Sequence, residues 1–189
     1  MAFRVYRADI VELWKSNKTV CITVSLEVRK RDISGVVDRG NALALAPYVP
    51  QLAKKLGEFI VIGHGNVGFV DERIIAFFTK PQECKFERCL SDEISKYNWG
   101  QKIPGGHCMA EPAIVARSAR QLLRLAIKEH LREIYLPLPG VMNGQIDVED
   151  IREALDVLRF SSIVKLISNS EISDDSIEMM DLANGSAES

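Results

Sequence analysis

Hydrophobic residues recur along the chain with two different periods, and this pattern predicts strands that alternate with helices. Short apolar runs rich in β-branched and aromatic residues are typical of strands. They predict six strands, at residues 3–7, 19–24, 58–63, 73–79, 134–136 and 162–167. The polar and basic residues 25–38 predict a loop. Residues 81–110 show little periodicity, which is typical of either a functional flap or an irregular connection.

Capping residues and helical spacing mark the helices between these strands. Asp9 stands where an N-cap belongs, and Asp147 stands before the last helix, which we expect to run to Arg159. Residues 41–56 have helical spacing but contain two prolines, which should divide them into two pieces. Pro112 suits the first turn of a longer helix. The alternation of strands and helices predicts the α/β class with a largely parallel sheet.

Length and composition favour one domain. The 189 residues suit a single core, which we expect to span residues 1–167, and the polar, acidic residues 168–189 predict a flexible tail. The formal net charge of -2 gives no overall field that would attract nucleic acid or an anionic membrane. No apolar run reaches the roughly 18 residues of a membrane span. The N-terminus lacks the apolar region of a signal peptide, so we expect a cytoplasmic protein.

Four cysteines are present, and a cytoplasmic location predicts that they are reduced thiols. Cys84, Cys89, His107 and Cys108 are of the types that bind zinc. Their spacing lacks the close Cys-x-x-Cys pairs that make a zinc site specific. We therefore expect no metal site and no cofactor.

Two glycine-bearing loops are candidates for binding phosphate. In residues 134–151 an apolar strand is followed by a loop with Gly140 and Gly144, and then by a helix. Residues 35–45 repeat this layout, with Gly40 at the start of a helix. Glycines let successive backbone N–H groups point at an anion, although an ordinary strand-to-helix turn has the same layout. Two such loops at the carboxyl edge of a parallel sheet could hold a diphosphate between them.

Four segments of the sequence resemble the macrodomain family, whose members bind ADP-ribose. The segments are Arg7-Ala8-Asp9-Ile10, Val36-Val37-Asp38-Arg39-Gly40-Asn41-Ala42-Leu43, Phe77-Phe78-Thr79-Lys80, and residues 136–147, which run Leu-Pro-Leu-Pro-Gly-Val-Met-Asn-Gly-Gln-Ile-Asp. They are most similar to the branch that contains terminal ADP-ribose glycohydrolases and the antitoxins that remove ADP-ribose from DNA. The resemblance implies a three-layer α/β/α sandwich with a mixed, largely parallel sheet.

The resemblance also implies roles for individual residues. Asp9 would bind the adenine of ADP-ribose, and Lys80 would attack or polarise the distal ribose. The remaining ligand-binding residues would be Ile10, Val37, Arg39, Gly40, Gly140, Val141, Met142, Asn143 and Gly144. Attack requires a free amine, so burial or a cationic neighbour would have to lower the lysine pKa from about 10.4. The implied partner is ADP-ribose or an ADP-ribosylated macromolecule.

Several residues depart from the family pattern. Asp38 replaces a glycine of the first loop and Met142 a glycine of the second. Ser25 and Leu26 stand where the antitoxin-like enzymes have an asparagine. The acidic partner of the lysine in the eukaryotic branch would align near Gly144, so it is absent. These changes favour binding over turnover.

Other interpretations of the same residues stay open at this point. Asp9 could act only as a helix cap, and Lys80 could be a surface lysine at the end of a strand. Asp38 and Arg39 could form a solvated pair or could meet the diphosphate. Three functions therefore stay open: a hydrolase that removes ADP-ribose, a reader or sequestering module without turnover, and a binder of NAD-derived signal molecules. Nucleic-acid contact through residues 29–31 is less favoured, because no aromatic residues interleave with the charges.

Overall fold

The protein is built around a six-stranded sheet. The computed structural model describes residues 4–63, 65–88, 95–140 and 145–168. Its strands are β1 (Val5–Arg7), β2 (Val20–Ser25), β3 (Val28–Arg29), β4 (Ser34–Gly35), β5 (Val67–Asp71), β6 (Ile74–Lys80), β7 (Glu83–Lys85), β8 (Lys102–Pro104), β9 (Ile134–Pro137) and β10 (Val164–Ser168). The main sheet has the order β1-β10-β9-β2-β6-β5. Its first five strands are parallel, and β5 runs antiparallel to β6.

Helices cover both faces of this sheet. They are α1 (Ile10–Lys15), α2 (Gly40–Leu45), α3 (Leu52–Ile62), α4 (Pro112–Lys128) and α5 (Val148–Ala154), with 3-10 turns at Phe86–Arg88, Gly105–His107 and Asp156–Leu158. Alternate residues of β6 enter opposite cores: Phe77 packs on the α4 and α5 side, and Phe78 on the side of α1, α2 and α3. This alternation follows from the period of two in a strand. The protein is therefore a three-layer α/β/α sandwich with a mixed, largely parallel sheet, as the sequence predicted.

The strand predicted at residues 58–63 is wrong, because those residues continue helix α3. The apolar run there is rich in β-branched residues, and this local preference indicated a strand. The helix instead buries Leu52 and Leu56 and leaves Val61 and Ile62 about 60% exposed. Gly63 ends the helix with a backbone φ of +74°. The strand of this region, β5, comes four residues later at an edge of the sheet.

Two segments contain strands that the sequence did not indicate. Within residues 25–38, β3 and β4 pair as a short antiparallel hairpin. Within 81–110, β7 and β8 form a second hairpin. The last helix is also shorter than predicted: α5 ends at Ala154, and a 3-10 turn rather than α-helix leads towards Arg159.

The second hairpin carries a disulfide between Cys84 and Cys108, whose Cα atoms are 6.1 Å apart. The prediction of four reduced thiols is therefore wrong for this pair. That prediction followed from the expected compartment, which says nothing about which cysteines the fold brings together. Cys21 is a free thiol in the core, and burial raises its pKa. Cys89 lies outside the described residues.

No helix in the described part of the chain has both the length and the apolar composition that crossing a membrane requires. The predicted tail lies almost entirely outside the described residues, which end at Ser168.

Candidate functional site

A cavity of about 340 Å³ lies at the carboxyl edge of the sheet. It is lined by the ends of the five parallel strands β1, β10, β9, β2 and β6 and by the first turn of α2. Neighbouring strands lie about 4.8 Å apart, so the row of strand ends is about 19 Å long. The volume of the cavity is within the usual range for pockets that bind small molecules and cofactors. The sequence predicted a site at this edge, and the cavity lies there.

At one end of the cavity, Asp9 caps helix α1. Its Oδ1 atom accepts hydrogen bonds from the backbone N–H groups of Val11 at 2.8 Å and Glu12 at 3.0 Å. Ile10, the first residue of the helix, lines the cavity and is also part of the core. The capping interpretation of Asp9 is therefore correct. Its adenine-binding role stays a prediction. The second oxygen, Oδ2, makes no hydrogen bond within the described residues, which leaves it available for adenine.

The first glycine-bearing loop forms one wall. Asp38, Arg39 and Gly40 line the cavity, and Gly40 has a backbone φ of +55°. Val37 is not among the lining residues, because it packs against the core on the α1–α3 side. The carboxylate of Asp38 lies 3.5 Å from the guanidinium of Arg29. The structure thus gives Asp38 a partner from the β3–β4 hairpin, which sequence reasoning did not consider.

Asn41 fastens this loop to the sheet. Its Oδ1 accepts from the backbone N–H of Thr23 at 3.0 Å, and its Nδ2 donates to the Thr23 hydroxyl at 3.1 Å. From the sequence, Asn41 was a member of the first loop motif and of the helix that follows, with no role of its own. An asparagine in the first turn of a helix after a glycine loop is the sequence signal that could have indicated this role. Asparagine side chains at such positions often hydrogen-bond to backbone groups.

The second loop begins at Gly140, which lines the cavity with a backbone φ of +81°. The backbone N–H of Ile146 donates to the carbonyl of Gly140 at 2.9 Å, so the two ends of the loop are held together. The residues between them that the sequence predicted as ligand-binding, Val141, Met142, Asn143 and Gly144, lie outside the described residues. Asp147 occupies the N-cap position of α5, but its side chain makes no capping hydrogen bond.

Lys80 lies at the other end of the cavity and is buried, with 8% of its surface exposed. Its ammonium nitrogen donates to the carbonyl of Gly106 at 3.2 Å. The backbone N–H of Gly106 in turn donates to Glu27 Oε2 at 2.7 Å. The structure thereby excludes a surface position for Lys80. Glu27 and Gly106 were missed, because they come from segments 79 residues apart that only the fold brings together.

Two buried serines also line the cavity. Ser25 ends β2 and is in register with Lys80 on β6, and Ser168 ends β10. The hydroxyl oxygens of both are buried and have no hydrogen-bond partner in the described part of the chain. Buried polar groups are normally hydrogen-bonded, so each of these hydroxyls requires an explanation.

Of the four residues considered as zinc ligands, the three that the structure describes have other partners. Cys84 and Cys108 are joined to each other, and the Nδ1 atom of His107 lies 2.5 Å from the Tyr97 hydroxyl. Among the residues that the structure describes, no three His, Cys, Asp or Glu side chains form a cluster that could hold a metal ion.

The architecture is similar to that of several solved macrodomains. The macrodomain of Thermus aquaticus DarG matches with a TM-score of 0.56 and 15% identity, over 88% of this chain and 97% of its own. The macrodomain of Mycobacterium tuberculosis DarG matches with a TM-score of 0.52 and 17% identity, again over 88% and 97%. Thermosipho africanus DarTG in complex with ADP-ribose matches with a TM-score of 0.53 and 12% identity, over 87% of this chain and 42% of that one.

The sequence matches no protein-family model and no curated protein. The likeness is therefore one of structure, and it extends over 87–88% of this chain. Together with the strand order and the position of the cavity, it shows that the chain has the macrodomain fold.

Proposed function

We propose that the cavity binds ADP-ribose, either free or attached to a macromolecule. The observation that carries the proposal is one continuous cavity across five strand ends, with Asp9 at one end and the buried Lys80 at the other. A cavity that spans the ends of five strands suits a ligand with a base, two sugars and a linking diphosphate. The similar fold of DarTG, which was solved in complex with ADP-ribose, supports this choice of ligand.

In this arrangement each part of the ligand meets a suitable group. Oδ2 of Asp9 accepts a hydrogen bond from the adenine amino group beside Ile10. The diphosphate lies between the two glycine loops, near the guanidinium of Arg39 and the backbone of Gly40 and Gly140. Guanidinium groups and backbone N–H groups are common phosphate ligands. Val141, Met142, Asn143 and Gly144 complete the predicted set of contacts, whereas Val37 packs against the core.

The distal ribose then lies next to Lys80, and this proximity makes hydrolysis the second candidate function. The burial of Lys80 supports this candidate. Its amine would attack the anomeric carbon, and the bond from that carbon to the macromolecule would break. The released group takes the bonding electron pair and the proton that the amine loses. Water then displaces the lysine and restores the free amine.

A reader or sequestering module without turnover is the alternative. The departures at Asp38 and near Gly144 favour it, because the acidic partner of the lysine in the eukaryotic branch is missing. Glu27 Oε2 accepts a hydrogen bond from the backbone N–H of Gly106, whose carbonyl accepts one from Lys80.

The binding proposal is tested by nuclear magnetic resonance. ADP-ribose is titrated into the ¹⁵N-labelled protein, with free ribose as a control ligand. We expect the amide signals of Ala8, Asn41, Gly106 and Gly140 to shift with one common dissociation constant. Amide signals at the opposite edge of the sheet, such as Glu133, should stay in place. Shifts confined to one of these regions, or none, would contradict the proposal.

A further inference from the structure

Asp38 puts a negative charge on the wall of a cavity whose proposed ligand is an anion. The charged side chains that line the cavity in the described part of the chain are Asp9, Asp38, Arg39 and Lys80. With their ordinary charges at pH 7, the two carboxylates cancel the two cations. The lining alone therefore provides no net attraction for the negative charges of a diphosphate.

Arg29 brings a further positive charge to this wall from the β3–β4 hairpin. Its guanidinium lies 3.5 Å from the carboxylate of Asp38, and both side chains are about half exposed. Arg29 itself is not among the residues that line the cavity. Its closest described link to the cavity is therefore the carboxylate of Asp38.

The hairpin that carries Arg29 is held firmly in the fold. Helix α3 packs directly on its backbone, since a Cβ added to Gly57 would lie 2.0 Å from the carbonyl oxygen of Ile33. The hairpin's own carboxylate, Asp32, accepts hydrogen bonds from the hydroxyl of Ser34 at 2.6 Å and from its N–H at 3.2 Å. Asp32 thus stabilises the turn, and Arg29 pairs with the loop that forms the cavity wall.

We propose that Arg29 is a positioning residue of the diphosphate site, which holds the carboxylate of Asp38 against the hairpin and neutralises its charge. The inference rests on the proposed function. With Asp38 paired in this way, Arg39 and the backbone of Gly40 can bind the diphosphate without an opposing charge beside them. The hairpin therefore compensates, within the fold, for an aspartate that departs from the family pattern.

The test is calorimetric titration with ADP-ribose at low ionic strength. Arg29→Gln should weaken binding about three- to tenfold, because the charge of Asp38 is then uncompensated. Asp38→Asn should strengthen binding about two- to fivefold, because it removes that charge. The double variant Arg29→Gln, Asp38→Asn replaces the ion pair by two neutral side chains, so its affinity should return to within about twofold of the natural sequence. A merely structural role of Arg29 would give no such recovery.

Arg31→Gln is the matched control. It removes the same charge from the same hairpin, but Arg31 is 94% exposed and its guanidinium lies 3.9 Å from Asp32. Its effect on ADP-ribose affinity should be less than about twofold. In about 1 M sodium chloride the effect of Arg29→Gln should also shrink, because salt screens charges that are exposed to solvent. All these variants should melt close to the natural sequence, since exposed ion pairs contribute little to stability.

The possible failures are distinguishable from one another. If ADP-ribose does not bind the natural sequence, the proposed function fails and the inference fails with it. If ADP-ribose binds but Arg29→Gln behaves like Arg31→Gln, only the inference fails. It is also overturned if Asp38→Asn weakens binding, or if the double variant binds as weakly as Arg29→Gln alone.

Discussion

The ammonium nitrogen of Lys80 donates a hydrogen bond to the carbonyl oxygen of Gly106 at 3.2 Å. Gly106 belongs to the turn after β8, and Glu27 holds that turn from the other side through the N–H of Gly106. The lysine at the end of β6 is thus tied to a segment that the disulfide between Cys84 and Cys108 also restrains. This arrangement fixes the position of the amine at one end of the cavity.

Replacing Lys80 by methionine separates the two candidate functions. Methionine keeps an unbranched apolar stem but removes the amine. If the protein is a hydrolase, release of ADP-ribose from a modified substrate should fall at least about a hundredfold, because the nucleophile is lost. ADP-ribose affinity should fall by less than about tenfold. Release is measured by chromatography of the reaction products, and affinity by calorimetry.

The control for this substitution is Lys85→Met on β7, where the lysine is exposed and does not line the cavity. Both rates and affinities of this variant should match those of the natural sequence. If the natural sequence releases no ADP-ribose from protein or nucleic acid but binds it, the non-catalytic alternative is correct. Full hydrolysis by Lys80→Met would remove Lys80 from the mechanism.

Gly140→Ala should destabilise the fold through two additive effects. The residue has a φ of +81°, a conformation that costs an L-residue about 1–2 kcal/mol. An added Cβ would also meet Ile146 Cδ1 at 2.9 Å and Ile151 Cδ1 at 3.1 Å. We expect the free energy of unfolding to fall by about 2–4 kcal/mol, measured by urea denaturation.

Gly100→Ala is the matched control for this substitution. Gly100 has a similar φ of +75°, but an added Cβ would meet no atom within 4 Å. The free energy of unfolding of this variant should fall by only the strain cost of about 1–2 kcal/mol. Equal losses at the two positions would show that the packing around Gly140 has room for a methyl group.

Glu133 lies at the edge of the sheet opposite the cavity and makes the stability of the fold depend on pH. Hydrogen bonds from Lys165 and Lys18 lower its pKa from 4.5 to about 2. Because the folded-state pKa is the lower one, this stabilisation is complete above about pH 5 and is lost as the pH falls towards 2. Glu133→Gln should therefore be less stable than the natural sequence at pH 7 and should approach it near pH 2.

Chemical denaturation at a series of pH values measures this difference. Glu58→Gln is the control, because Glu58 lies 4.0 Å from Lys54 and both side chains are more than half exposed. Its difference from the natural sequence should stay close to zero at every pH. If the stability difference between Glu133→Gln and the natural sequence is the same at pH 7 and pH 2, the lowered pKa of Glu133 is contradicted.

The sequence predicted the parts of the fold that depend on short segments. Asp9 caps α1, Pro112 opens α4, and both glycine loops lie at the carboxyl edge of the sheet. These features depend on local backbone chemistry and on the rule that parallel strands end at one edge. The strand predicted at residues 58–63 was wrong because the β-branched residues there favour a strand locally. The helix that forms instead is stabilised by packing against residues far away in the sequence.

The connections between distant segments could not be predicted. The contact between Glu27 and Gly106 joins residues 79 positions apart, and the disulfide joins residues 24 apart across a hairpin. The unpartnered hydroxyls of Ser25 and Ser168 are visible only when every neighbour is placed. No periodicity or motif carries such information, because each of these features arises from packing in three dimensions.

The most direct test of ADP-ribose binding is calorimetric titration of the protein with ADP-ribose, with AMP and ribose 5-phosphate as partial ligands. We expect saturable binding of one ADP-ribose per chain, with each partial ligand at least about tenfold weaker, because the cavity extends from Asp9 to Lys80. No binding of ADP-ribose at millimolar concentration would contradict the proposal that the cavity binds ADP-ribose. The macrodomain fold would then stand without ADP-ribose as its ligand.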